Sequence, residues 1–109
     1  MNIISLPPQS SVAKPDLAQD TKIQPPSMYR ILLLNDDFTP MDFVVDVLKQ
    51  LFHKTEDESI QLMLQIHHQG QATCGVYSYE VADQKVQQVN HYSQKHQHPL
   101  KCIMEKDRD

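Results

Sequence analysis

Leu34-Asn35-Asp36-Asp37-Phe38-Thr39-Pro40-Met41-Asp42-Phe43-Val44 joins the most apolar short run of the chain to its clearest helix start. Before it, Tyr29 to Leu34 are branched or aromatic with little alternation, which predicts a largely buried strand. Asn35, Asp36 and Asp37 end that strand. Thr39 stands where an N-cap is expected, and Pro40 follows at the first helical position, where its missing N–H costs nothing. Asp42, three residues after Thr39, allows an arrangement like a capping box. Two readings of Asn35 and Asp36 stay open on this pattern. They are solubilising groups of a well-made turn, or they are acceptors held at a strand end for something cationic.

Outward from this stretch the elements follow one another closely. Met28–Leu34 is the first strand and Met41–His53 the first helix, with Phe43, Val44, Val47, Leu48, Leu51 and Phe52 on its apolar face. Thr55 and Glu58 make a capping box, so a second helix runs from about Glu56 to Gln69. Its apolar side is read as Ile60, Met63, Leu64, Ile66 and His67, with Leu62 beside them. Gly70 sits where a left-handed C-cap is wanted. Ala72–Tyr79 reads as a strand with a bend at Gly75. A third helix covers about Glu80–Lys95, with Val81, Ala82, Val86, Val89 and Tyr92 inward and Lys85, Gln87, Gln88 and Gln94 outward. Pro99 closes the next connection, Leu100–Met104 alternates as a last strand, and the charged end Glu105–Asp109 is expected to fray, with 107–109 outside the domain. The expected class is α/β. It is a two-layer sandwich of a three-stranded antiparallel sheet against three helices, in the order β-α-α-β-α-β.

The bulk numbers narrow the function. With 109 residues there is room for one domain, read here as 28–106, and one modest core. Residues 1–27 hold five of the seven prolines and no shared apolar period, which predicts a flexible extension. A net charge of −4 argues against nucleic acid as partner, because such binding leans on Lys and Arg. Met1–Leu6 lacks the marks of a secretory signal and no stretch is long enough to span a bilayer, so no membrane is expected and the cytoplasm is the expected compartment. Cys74 and Cys102 have no ligand-like spacing and are read as buried free thiols.

Catalytic and metal chemistry find little support. There are six histidines but no HExxH and no Cys/His ligand pairing. No glycine-rich loop can cradle phosphate, and no serine sits in a nucleophile elbow. Cys74 with His67, or Asp36 with Asp37, could be drawn as catalytic pairs, but a cysteine in an apolar strand is ordinarily core, and adjacent turn acids seldom point into one pocket. No enzyme activity, metal or cofactor is expected. His67 keeps two readings, a half-buried histidine satisfied by backbone, or an imidazole at the rim of an apolar cleft opposite Asn35 and Asp36.

Asn35-Asp36-Asp37-Phe38-Thr39-Pro40-Met41 with Phe43-Val44 resembles the signature of the ClpS adaptors, the bacterial N-end-rule recognition proteins. Gln61-Leu62-Met63-Leu64, Ile66-His67, Gly70, Cys74-Gly75-Val76, Glu80-Val81-Ala82, Lys85-Val86 and His98-Pro99-Leu100 extend the resemblance over about residues 25–106. It implies an adaptor that binds proteins beginning with Phe, Leu, Tyr or Trp and delivers them to the ClpA unfoldase of the ClpAP protease. By the same resemblance Asn35, Asp36 and His67 grip the free α-amino group. Thr39, Met41, Val44, Met63, Ile66 and Leu100 shape the pocket for the first side chain, and Asp37 shapes the turn or the rim. Glu80 and Lys85 fall where the family docks on the amino-terminal domain of ClpA, and a monomer is expected. The alternative is a small structural or assembly domain that uses the same sandwich without such a pocket.

Overall fold

The computed structural model describes residues 25–108. The extension expected over 1–27 therefore lies almost wholly outside the described residues, as does the last residue of the end expected to fray. Six elements follow in order: β1 (Met28–Leu34), α1 (Met41–Phe52), α2 (Glu56–Gln69), β2 (Gln71–Ser78), α3 (Tyr79–Lys95) and β3 (Lys101–Lys106). The strands form one antiparallel sheet in the order β2-β1-β3, with the apolar strand in the middle. The central place explains why Ile31, Leu32 and Leu33 are all buried.

One face of the sheet carries the helices. Ile31 and Leu33 of β1, Ala72 and Cys74 of β2 and Cys102 of β3 point to it. They meet Phe43, Val44, Val47, Leu48 and Phe52 of α1, Ile66 of α2 and Ala82 and Val89 of α3 in a single core. Between Ile31 and Leu32 the register with β2 slips, because Ile31 pairs with Gly75 and Leu32 with Thr73. The expected bend at Gly75 is thus a β-bulge that leaves Cys74 without a partner residue on β1. A Cβ on Gly75 would come within 2.5 Å of the Tyr77 hydroxyl, so glycine makes room for that ring.

The cap signals of α2 read through. Thr55 and Glu58 complete their capping box in both directions, and Gly70 ends the helix at φ 94°. The start of α1 departs from expectation. Its N-cap is Pro40, one residue later than expected, and no side chain caps it. Thr39 turns back instead, its hydroxyl donating to the Asp36 carboxylate at 2.6 Å. Its other end comes one residue early, because His53 is left-handed at φ 56° and acts as the C-cap.

Two helix faces also differ from the pattern. On α2, Leu64 and His67 are exposed while Ser59 is fully buried. On α3 the row that meets the sheet is Ala82, Val86, Val89 and Ser93, leaving Val81 exposed. Lys85, expected outside, is half-buried, and its ammonium donates to the Leu51 carbonyl at 2.6 Å, satisfying one of the free carbonyls at the end of α1. Finally, the fraying expected from Glu105 does not begin there: β3 continues to Lys106, held by the ion pair between Arg30 and Glu105 at 2.8 Å, and Asp107 donates its amide to the Met28 carbonyl.

Candidate functional site

The turn between β1 and α1 is built by one side chain. Asp36 Oδ1 accepts the amides of Phe38 and Thr39, each at 2.8 Å, and Oδ2 accepts the Thr39 hydroxyl. An aspartate that folds the chain back onto its own carboxylate is a local alternative to a helix cap, and here it displaces the cap expected at Thr39. A second bond brings a distant element to the turn. The Asn35 amide donates to the Gly70 carbonyl at 2.8 Å, extending the β1–β2 ladder one step past Leu34 and Gln71. Gly70 closes α2, so the last turn of α2, with His67, comes to lie beside Asn35.

Between them opens a cavity of about 210 Å³. Asn35, Asp36, Asp37 and Thr39 line it from the turn, Met41 and Val44 from α1, and Met63, Ile66 and His67 from α2. Val44 and Ile66 are buried and form its floor, Met63 is half-buried, and Met41 remains 45% exposed at the edge. Asn35, Asp37 and His67 are exposed, so the mouth is polar and the floor is not. An apolar cavity of roughly 150 Å³ accepts a benzene ring. The space here suits one large side chain rather than a cofactor or a drug-sized ligand, which fill about 300–1,000 Å³.

Of the residues singled out in the sequence for substrate, nine line this one cavity. Leu100 does not. It is 4% exposed, belongs to the core and lines a separate groove between α3 and β3. Glu80 is exposed in the first turn of α3, and Lys85 is engaged with the end of α1. One neighbour went unread: His98 packs against the Phe43 ring at 4.4 Å, within electrostatic reach of Asp36. Its place before Pro99 in an irregular connection carries no local signal for that position.

The charges favour a cation at the mouth. Partial burial pushes the Asp36 carboxyl up, but the bonds from the Thr39 hydroxyl and the Phe38 and Thr39 amides, with His98 nearby, outweigh it and hold it below the usual range. A carboxylate has about four acceptor sites. Three are taken here, so Asp36 can offer an incoming donor one further bond together with its full negative charge. Because the folded carboxyl holds its proton less tightly than the unfolded one, the unfolded chain binds more protons, and stability rises with pH. The Asp36 contribution is complete above the unfolded aspartate range, about pH 3.9, and fades as pH falls through the lower native value. Acid titrations of the protein and of Asp36→Asn, followed by circular dichroism, are expected to differ in stability at pH 7 and to draw together progressively as pH falls below about 4. A stability gap independent of pH would contradict this account.

Other chemistry lacks its parts. Burial pushes the Cys74 and Cys102 thiols each up to about 12, so neither is a thiolate nucleophile at neutral pH. Among the described residues no three His, Cys, Asp or Glu side chains gather as metal ligands. No helix among them is long and apolar enough to cross a membrane.

Comparison with known proteins gives one consistent result. The family model "ATP-dependent Clp protease adaptor protein ClpS" matches residues 24–103. The ClpS adapter protein of Phenylobacterium zucineum is 57% identical over 86 residues, which is 79% of this chain and 79% of the relative. That of Hydrogenovibrio crunogenus is 58% identical over 84 residues, 77% of this chain and 81% of the relative. Among solved structures, Agrobacterium tumefaciens ClpS2 bound to L-phenylalaninamide superposes with a TM-score of 0.74 at 32% identity, covering 76% of this chain and all of that one.

Proposed function

The chain belongs to the ClpS family of ATP-dependent Clp protease adaptors, and from that premise we propose that it binds the first residue of proteins that begin with a free α-amino group and Phe, Leu, Tyr or Trp. It is an adaptor and not an enzyme. The observation that carries the reading is a mouth of three acceptor types over an apolar floor, all lining one cavity. L-phenylalaninamide, the ligand of the ClpS2 structure, offers an α-amine and one aromatic side chain, the two features such a cavity would take.

The physics of the fit is simple. A protonated α-amine has three donors, and an amide oxygen, a carboxylate and a neutral imidazole nitrogen are three acceptors. The bond to the carboxylate is charge-assisted and therefore the stronger kind. An acylated terminus loses the charge, and a preceding methionine moves the amine away. Either leaves acceptors unpaired at about 1–3 kcal/mol each. Burying a Phe or Leu side chain on Val44, Met63 and Ile66 contributes about 1.5–3 kcal/mol over leaving it exposed. Methionines at the wall and rim adapt to flat and branched guests alike.

Delivery follows from the same family reading. The recipient is the ClpA unfoldase of ClpAP, docked through Glu80 and Lys85, with the cytoplasm as the compartment. One ammonium donor of Lys85 is taken by Leu51, and two remain for a partner.

Fluorescence polarisation with labelled Phe- and Leu-initiated peptides tests the reading. The peptides are expected to bind, and the same sequences with one added N-terminal Met are expected to bind at least about 30-fold more weakly, the loss of two or more such bonds. Equal binding of both sets would overturn it.

A further inference from the structure

The groove that holds Leu100 has a volume of about 380 Å³, larger than the cavity itself. One side is the beginning of β3, from Lys101 to Ile103, and the other is α3, which presents Asn90 and Gln94. Among the described residues β3 is an outer strand of the sheet, so alternate N–H and C=O groups along it point away from β1 and meet no other described strand. Asn90 and Gln94 are four residues apart and share a face of α3. The side-chain hydrogen bonds that α3 makes come from Lys85, Gln87 and Tyr92, and among the described residues Asn90 and Gln94 make none. An unpaired strand edge on one wall and two unpartnered amides on the other are the two sides needed to hold an added extended backbone.

The occupant is narrowed by charge and by place. Pairing the β3 edges of two copies in antiparallel register would set Lys101 of each opposite Lys106 of the other, and like charges directly opposed are unfavourable. A second copy is therefore a poor fit. The groove lies at the same end of the sheet as the cavity, since Lys101 pairs with Leu34, the residue before Asn35. His98 on the groove wall rests on the Phe43 ring, and Phe43 adjoins Val44 of the cavity floor. From the cavity mouth to the outer edge of β3 is two to three strand spacings, about 10–15 Å, which three to five extended residues span.

We propose that the segment of a bound protein beginning about five residues after its first lies along the free edge of β3 as a fourth strand, its backbone held on the other side by Asn90 and Gln94. This rests on the reading of the cavity given above. The segment is extended and free of proline, and an acidic residue near Lys101 suits it.

Calorimetry with two ligands separates this inference from the reading beneath it. One is a Phe-initiated dipeptide amide, too short to leave the cavity, and the other a Phe-initiated peptide of about ten residues. The longer ligand is expected to bind about tenfold more tightly, the worth of two added hydrogen bonds. The gain is expected to vanish when its backbone is N-methylated at alternate positions within the groove segment. It is also expected to vanish in Asn90→Ala/Gln94→Ala, which leaves the dipeptide amide bound as before. Equal affinity for both ligands, the result if the chain's own amino-terminal residues fill the groove, would overturn the inference. So would a gain that survives both changes. If the dipeptide amide does not bind, the reading of the cavity fails and this inference falls with it.

Discussion

Asn35→Ala combined with Asp36→Ala is expected to leave a folded protein that no longer holds a Phe- or Leu-initiated peptide. Both residues line the cavity at its mouth, and both offer oxygen acceptors to a positively charged amine. Hydrogen bonds to a charged group contribute about 1.5–3 kcal/mol each, so losing two weakens binding by roughly 10²–10⁴-fold. The fold should survive, because the tie from Asn35 to Gly70 uses the backbone amide and not the side chain. Asp36→Ala does remove the bonds to Phe38 and Thr39, at about 1 kcal/mol, the usual cost of losing such a cap. Asp36→Asn separates the two effects. It keeps an oxygen for the turn amides but removes the charge, so it should fall between wild type and the double variant in affinity. Polarisation titrations beside circular dichroism give the answer. Retained affinity in the double variant with a normal spectrum would remove both residues from recognition.

Leu48→Ala is expected to produce the largest loss of stability of any conservative truncation in α1. Leu48 is 0% exposed and sits within the single core, and its carbonyl also accepts the amides that close the helix at His53 and Lys54. Truncating a leucine to alanine in such a place costs about 2–5 kcal/mol through lost transfer energy and the cavity left behind. A domain of this size loses about 4–8 °C of melting temperature per kcal/mol, so a fall of about 8–40 °C is expected. In urea the midpoint should drop with the slope unchanged. A loss below about 1 kcal/mol would mean that the surrounding core closes over the gap far better than its packing suggests.

The elements that were legible in the sequence are those fixed by neighbours in the chain. α2 was read correctly at both ends, because a capping box and a left-handed glycine are local devices. The middle strand was legible from its unbroken apolar run, and the sheet order follows from its central place. Where two local devices compete, the sequence misleads. Thr39 and Asp36 can each organise the same turn, and only the structure shows that the carboxylate prevails. The faces of α2 and α3 were the weakest readings. Ser59 and Ser93 are buried, while Leu64 and Val81 stay exposed. Hydrophobicity does not encode that difference.

The candidate site was legible in another way. Spacing alone leaves two readings open for Asn35, Asp36 and His67, one in which they face a single cleft and a plainer one for each. The family resemblance named the rest of the lining. The physical link between the turn and α2 is a backbone bond between Asn35 and Gly70, and no side-chain pattern records it. Asn90 and Gln94 were hidden for a related reason. On a helical pattern they look like ordinary solvent-facing amides, and their place opposite a bare strand edge exists only once β3 is paired.

The Asn35–Gly70 bond has an evolutionary consequence. The polar end of the cavity is not a loop that can drift independently of its scaffold, since moving it means unzipping the last rung between the two strands. Mutations that shift guest preference by reshaping the mouth will therefore tend to register as changes in thermal robustness as well. Substitutions at the edge, at Met41, which is 45% exposed and takes no part in that rung, leave the tie between the strands intact.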